Sequence, residues 1–418
     1  MIVVSADSHI GPRLVHDLRP YCPADLRDDF DAFSARSDEF KSTLQGFATF
    51  LFEHPNIKTA GHHESAARVA DYDYDGIAAS VIFHTSMNFE PFPFGPLVPG
   101  DSTVDRDVRY AGQQIYNRWL ADFVSQAPHR HVGLAYLPMW DIDLAMEELT
   151  WAADTGLRGV NFPALIDDGI TPYNQAVWDP FWALCQDRNM PIVTHVGTTG
   201  RTPYTGPEMV ALKSMETGSF FSQRQIWFLI FGGVFERFPG LKHVIVETPG
   251  AWFPDLAREL DGIWNMFESE KHRLQMNRDF YAKVPRKPSE YMASNVFVGA
   301  SFCSRHEAHR AVEHRYAGNV LWGSDYPHVE GTFVNPDGSG MPSVTRLALR
   351  NTFNDVPMDT VSAMVGGTAI DVFGLDRAAL QKIADDIGPT REELARPIDA
   401  VPAGASLHAF RSGDTAWS

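Results

Sequence analysis

The sequence predicts an α/β fold, a (β/α)8 TIM-like barrel with long insertions after its strands and a C-terminal tail. Three observations carry that prediction. Short β-branched runs recur eight times along the 418 residues. Amphipathic, helix-like stretches separate most of them. Several runs, such as Val244 to Glu247 and Ser80 to Phe83, lack apolar/polar alternation, as parallel strands covered on both faces do. An open, doubly wound sheet is the rival arrangement. No GxGxxG follows the first run and there is no P-loop, so nothing specific supports a nucleotide-binding version.

In chain order the expected strands are Ile2–Ser8, Ile77–His84, His131–Leu137, Arg158–Phe162, Pro191–Val196, Leu241–Glu247, Asn295–Phe302 and Asn319–Asp325. Expected helices include Val108–Val124, Leu144–Ala153, Pro180–Arg188, Phe220–Arg237 and Trp252–Met266. A minimal barrel takes about 250 residues, so the remaining length must sit in insertions. Residues 1–388 form the expected barrel, with insertions at about 11–75, 88–100, 197–218 and 268–294. Loops that follow strands lie at the C-terminal mouth, so these insertions are expected to roof a pocket. Residues 389–418, rich in Pro, Ala, Gly and charge, form an extended tail that should lie over the surface or an adjacent subunit.

Composition narrows the function classes. Hydrophobic residues make up 44%, enough for a large core, which excludes a disordered or fibrous chain. With 35 Lys+Arg against 53 Asp+Glu the formal charge is −18, so nucleic acid and anionic membranes are not expected partners. Cys22, Cys185 and Cys303 are odd in number and far apart, which excludes a disulfide scaffold and a cysteine-rich zinc site. The N-terminus has no basic segment and carries Asp7 and His9 where a signal peptide needs an apolar stretch. The longest apolar run, Ile226 to Phe235, is far shorter than the roughly 20 residues of a membrane span. A cytoplasmic enzyme acting on a small molecule is the expectation, with the tail and insertions suggesting a homodimer.

The candidate chemistry sits at strand ends. Asp7 and His9 are two apart, so they point to the same side of the first strand while Ser8 points away. His195 ends the fifth expected strand and Asp325 ends the eighth. In a closed barrel the eighth strand lies beside the first, and the fifth lies across the mouth. Asp7, His9, His195 and Asp325 would then converge at the face where barrel enzymes keep their active sites. Two imidazoles and two carboxylates suit one divalent ion, Zn²⁺ first, with Mn²⁺ or Fe²⁺ as alternatives. Any one of these residues alone reads equally well as a satisfied core histidine or a capping aspartate; the set, placed this way, does not. His84 at the end of the second strand is a candidate substrate-polarising donor, and His328, three residues after Asp325, a candidate pocket residue. Glu247 at the end of the sixth strand is a candidate acid/base group, or else a strand-end acid paired with Arg158 or a neighbouring basic residue. His62 and His63 beside Glu64 read as solvated loop or lid. Trp227, Phe228 and Phe231 recur at helical spacing and read as core. Cys185 reads as a buried small hydrophobe.

Asp7-Ser8-His9, Thr194-His195-Val196-Gly197 and Trp322 to His328 together resemble the amidohydrolase superfamily. The branch they resemble also contains aminocarboxymuconate-semialdehyde decarboxylase and the γ-resorcylate and 5-carboxyvanillate decarboxylases. Phe235 to Lys242, Lys287 to Tyr291 and Gly366 to Leu375 extend the likeness over most of the chain. The resemblance implies a TIM-like barrel with one catalytic metal, Asp7 and His9 as first-strand ligands, His195 as the fifth-strand histidine and Asp325 as the eighth-strand aspartate. Three departures bear on mechanism. Asp7 replaces a histidine common at that position. The fourth strand carries Asn161 and no lysine, which argues for a single metal. Glu247 stands where the decarboxylases and many hydrolases have a histidine.

Metal-assisted hydrolysis of an amide, ester, thioester or lactone in a fairly apolar small molecule is the first functional expectation. A bound divalent ion can lower a water's pKa from 15.7 to about 7, and Asp325 would act as general base and acid, with Glu247 orienting the water. The alternative is non-oxidative decarboxylation of an aromatic or unsaturated acid. A metal-free binding protein on the same barrel is the third class.

Overall fold

A computed structural model describes residues 1–47, 49, 53–97, 105–163, 170–197, 206, 208–269, 274–333 and 343–413. Among the described residues nine short strands carry the architecture: β1 (Val4–Ser5), β2 (Ala79–Ile82), β3 (His131–Gly133), β4 (Ala135–Tyr136), β5 (Val160–Asn161), β6 (Ile192–His195), β7 (His243–Val246), β8 (Val296–Ser301) and β9 (Val320–Gly323). β1, β2 and β3 pair in that order, as do β4 to β9, and every pairing is parallel. β3 and β4 are the two halves of one strand broken at Leu134. Between β9 and β1 the ring continues through the main chain. Ala6 N–H donates to Trp322 O at 2.8 Å and Asp325 N–H to Asp7 O at 3.1 Å, with a parallel bridge of Ser8 to Tyr326. Eight strand positions therefore close into a parallel barrel, and each lies inside one of the eight expected runs.

Strand periodicity divides the core. Val4, Val81, Val132, Val193, Val244, Val246 and Leu321 pack in one cluster with residues of the helices Thr368–Phe373 and Arg377–Ile387. Those helices close the N-terminal end of the barrel. The intervening residues Val3, Ile82, Ile192, Ile245, Val298 and Val320 belong to a second cluster shared with the surrounding helices. Both faces of each strand are thus buried, which is why the runs show no alternation. At the opposite, mouth-side end the first strand bends at Ala6, where Ser5 Oγ donates to Asp7 O at 2.6 Å.

The first insertion is built rather than loose. It holds the helix Arg27–Phe47, several single turns, and the helix Ser65–Asp75, which leads directly into β2. Trp227, Phe228 and Phe231 are half-buried and pack against the core, and their neighbours Ile226, Leu229 and Ile230 form the fully buried stripe. The expected single helix Phe220–Arg237 is broken: Ser222–Phe231 and Val234–Arg237 flank Gly233, whose φ of +66° caps the second piece. Parts of the expected roof, residues 98–100 and 198–205, lie outside the described residues. The tail runs over its own barrel. Arg346 pairs with Glu393 at 3.0 Å, and Ala409 and Phe410 pack against Val344 and Ala348. Among the described residues no helix is long and apolar enough to cross a membrane.

Candidate metal centre

Strand ends supply the site. Asp7 and His9 leave β1, His195 is the last residue of β6, Glu247 follows β7, Ser301 ends β8, and Asp325 and His328 follow β9. Glu247 and Asp325 both adopt left-handed backbone, with φ of +60° and +52°. That conformation is costly for residues with a Cβ and persists only where the surroundings impose it. Here it turns both carboxylates out of their strands and toward the mouth.

The side chains close on one another. His9 Nε2 lies 3.3 Å from Asp7 Oδ1 and 3.1 Å from Asp325 Oδ1. His195 Nε2 lies 3.6 Å from the same Asp7 oxygen and 3.3 Å from Glu247 Oε2. His328 Nδ1 lies 3.1 Å from Asp325 Oδ1. Asp7, His9 and Asp325 are completely buried. Yet Asp7 Oδ1, His9 Nε2, His195 Nε2, His328 Nδ1 and both oxygens of Asp325 have no hydrogen-bond partner. Burying so many lone pairs without partners is unfavourable unless something fills the space between them. Metal–ligand bonds of about 2.0–2.2 Å place neighbouring ligand atoms about 3.0–3.5 Å apart, which is the spacing found. The donor set fits one divalent ion, and the charges of Asp7 and Asp325 would balance it.

The imidazoles are oriented from outside. His9 Nδ1 donates to His84 O at 3.0 Å, His195 Nδ1 to Val196 O at 2.7 Å, and His328 Nε2 to Thr85 O at 3.1 Å. A carbonyl only accepts, so in each ring the outer nitrogen carries a proton, and in the neutral ring the inner one presents its lone pair. Ser301 Oγ donates to Asp7 Oδ2, leaving Oδ1 for the centre. Beneath the site Arg68 is fully buried and donates to His9 O at 2.7 Å and to Ser8 Oγ at 2.6 Å. Ser8 points away from the ligands, as the strand alternation requires.

The electrostatics separate the carboxylates. Burial alone would raise the pKa of Asp7, but the imidazoles of His195 and His9 outweigh it and hold the carboxyl well below its ordinary range. Asp325 is likewise lowered: burial opposes ionisation, and His328 and His9 prevail. Glu247 goes the other way, pushed well above its ordinary value by burial and then by the charges of Asp325 and Asp7. Glu330 is raised by burial and by Asp325. Glu247, Asp325 and Glu330 offer oxygens within 4.8 Å of one another.

The structure brings together Asp7, His9, His195, Asp325, Glu247 and His328. His84 stands beside this group rather than in it. Its ring packs at 5.1 Å from Phe92 and 5.2 Å from Tyr116, both ring nitrogens lack partners, and burial followed by the charge of His9 lowers its pKa to about 3. Glu247 does not pair with Arg158, which reaches Gly374 O instead. The reading of His62 as solvated is corrected: it is buried, with Nδ1 2.5 Å from Ser86 Oγ and Nε2 3.1 Å from Ile57 O. Cys185 is buried, and burial raises its thiol pKa. Ser301, Glu330 and Arg68 carry no sequence signal beyond Ser301's place at a strand end.

Comparison with known proteins identifies the family and the fold. A family model described as Amidohydrolase matches residues 62–375. The chain is 26% identical over 270 residues to a 2-amino-3-carboxymuconate-6-semialdehyde decarboxylase of Dictyostelium discoideum, an alignment covering 63% of this chain and 66% of that protein. The chain thus spans just under two thirds of that relative's length. The 5-carboxyvanillate decarboxylase of Sphingomonas paucimobilis superposes with a TM-score of 0.56 at 18% identity, covering 90% of this chain and 99% of that one. A dihydroxybenzoic acid decarboxylase from a Polaromonas species, solved with bound manganese and 2-nitroresorcinol, gives 0.56 at 20% identity, covering 91% and 98%. At those identities the two structures speak for the fold alone.

Proposed function

We propose, on the premise that the chain belongs to the amidohydrolase family, that this enzyme is a metal-dependent non-oxidative decarboxylase of an aromatic or unsaturated carboxylic acid. The observation that carries the reading is the closed group of unpartnered donors, Asp7 and Asp325 among them, with a further, protonatable carboxylate, Glu247, beside it. The named relatives support decarboxylation over the hydrolysis first expected from the sequence. Asp7, His9, His195 and Asp325 would hold one divalent ion, with Zn²⁺, Mn²⁺ and Fe²⁺ all compatible with the ligand set. When bound, the ion supplies Lewis acidity and a point of attachment for the substrate carboxylate.

The chain's own residues do the rest. Asp325 is committed to the centre by its contacts with His9 and His328. Glu247 faces the same space from the other side of His195 and is the proton carrier. It delivers its proton to the carbon that bears the carboxylate. The bond from that carbon to the carboxylate then breaks, its electron pair returns to the π system, and CO₂ leaves. Solvent reprotonates Glu247. The aromatic wall of Phe92, Tyr116 and Tyr136, with centroids 4.8–5.1 Å apart, gives a flat unsaturated ring an apolar neighbour.

Incubating Mn²⁺-loaded protein with a panel of hydroxybenzoic and unsaturated acids in D₂O tests this. The expected result is CO₂ release with one solvent deuteron on the carbon that lost it. Incorporation of ¹⁸O from labelled water into a carboxylate product, with no CO₂, would overturn it in favour of hydrolysis. Hydrolysis is the second reading because Glu247 could equally orient a water.

A further inference from the structure

The last described stretch of the chain, residues 389–413, lies beyond the segment that matches the family, which stops at 375, yet it reaches the turn that follows Ser301. Arg411, only 3% exposed at its side chain, pairs with the buried Glu307 at 2.9 Å. Its Nε and Nη2 both donate to Phe302 O, at 3.0 and 2.6 Å. Phe302 is an aromatic residue in left-handed backbone, with φ of +58°, a conformation that needs outside support. Two guanidinium donors on its carbonyl supply that support, since a rigid fork can place two N–H groups on one acceptor. Phe302 immediately follows Ser301, whose hydroxyl holds Asp7 Oδ2. Glu307 in turn closes a capping box with Ser304, so the turn after β8 is held at both ends. The same tail also comes close to Glu330: Leu407 and His408 line a cavity of about 490 Å³ together with His54 and Glu330.

We propose that the C-terminal tail is a working part of the site, with Arg411 a positioning residue that sets the carboxylate of Asp7 through Phe302 and Ser301. This rests on the reading of Asp7 as a metal ligand. A tail that merely covers the barrel would need the apolar contacts of Ala409 and Phe410 but not a buried guanidinium on a strained turn. Arg411 touches no reacting atom, so its effect appears in how well Asp7 is presented.

The test measures Mn²⁺ affinity by competition with a chromogenic chelator, and the unfolding temperature of the metal-free protein, for Arg411→Ala, Arg411→Lys, Ser301→Ala and the double variant Arg411→Ala/Ser301→Ala. Outer partners of metal ligands typically carry about 10- to 100-fold in affinity. Arg411→Ala is expected to weaken Mn²⁺ binding about 10-fold, Arg411→Lys to recover part of the loss, and the double variant to bind no worse than Ser301→Ala alone. Affinity unchanged in Arg411→Ala, or losses that add in the double variant, would overturn the proposal. If Arg411→Ala does not fold, Arg411→Lys decides: it keeps the charge opposite Glu307 but cannot place two donors on one carbonyl. Weaker Mn²⁺ binding at an unchanged unfolding temperature supports the proposal, and unchanged binding overturns it. Should the wild-type protein itself not bind Mn²⁺, the metal reading fails and the tail is judged separately by hydrogen exchange at residues 299–304 of the metal-free protein. Faster exchange in Arg411→Lys supports the positioning role, and equal exchange refutes it.

Discussion

The ring of His328 stacks on the ring of His9, with centroids 3.8 Å apart and 13° between planes, and both present a nitrogen 3.1 Å from Asp325 Oδ1. The outer nitrogen of each ring is taken by a main-chain carbonyl, His84 O for His9 and Thr85 O for His328, so both inner nitrogens are left to face one shared point. His328 is therefore expected to act with the ligands rather than as a remote pocket residue. His328→Ala should weaken divalent-metal binding by about 10- to 100-fold, read by chelator competition, while leaving the metal-free fold intact by circular dichroism.

Asp325 and Glu247 should separate in their effects. Asp325→Asn removes a charge from the centre and is expected to cost both metal and activity. Glu247→Gln keeps the shape but removes the transferable proton. It should retain the metal within a fewfold and lose about 10²- to 10⁴-fold in turnover, measured as CO₂ release alongside metal analysis of the same sample.

Chelation should destabilise the protein. An ion bound at 100-fold above its Kd adds about 2.7 kcal/mol to the folded state. Wild-type protein stripped of metal is expected to unfold at a temperature several degrees lower by calorimetry, and Asp7→Asn should show a much smaller difference between the two states.

Asp75 should impose a pH dependence far from the metal. It is 2% exposed, accepts from Ser343 Oγ and Thr345 Oγ1 at 2.7 Å each, and burial raises its pKa from 3.8 to about 6. The folded protein therefore holds this proton over a range where the unfolded chain has lost it. Its contribution is fully present below pH 3.8 and is lost as the pH rises toward 6. About 2–3 kcal/mol is at stake. In denaturant titrations from pH 4 to 7, wild-type stability should fall relative to Asp75→Asn by that amount; parallel curves would refute it.

The barrel was legible because each strand is a local fact. Val244-Ile245-Val246 is short and wholly β-branched, which favours a doubly covered strand over a helix, and in a strand its interior and exterior residues separate by the two-residue period. The grouping of four side chains was legible for the same reason: Asp7, His9, His195 and Asp325 sit at strand ends, and parallel closure gathers strand ends at one face. His62 was misread because burial of a loop depends on what folds over it, and Gly11 and Ser86 come from other parts of the chain to meet it.

What the sequence by itself determined is the set of strands, the face they share and the chemical type of the centre, since these follow from side-chain periodicity and donor chemistry. Only the tertiary structure decided that Glu247 and Asp325 turn inward through left-handed backbone, that Ser301 and Arg68 brace the first-strand pair, and that the tail returns to Phe302. Those contacts join residues up to 294 positions apart, as Ser301 is from Asp7, and such pairings are set by how the barrel closes rather than by any local pattern.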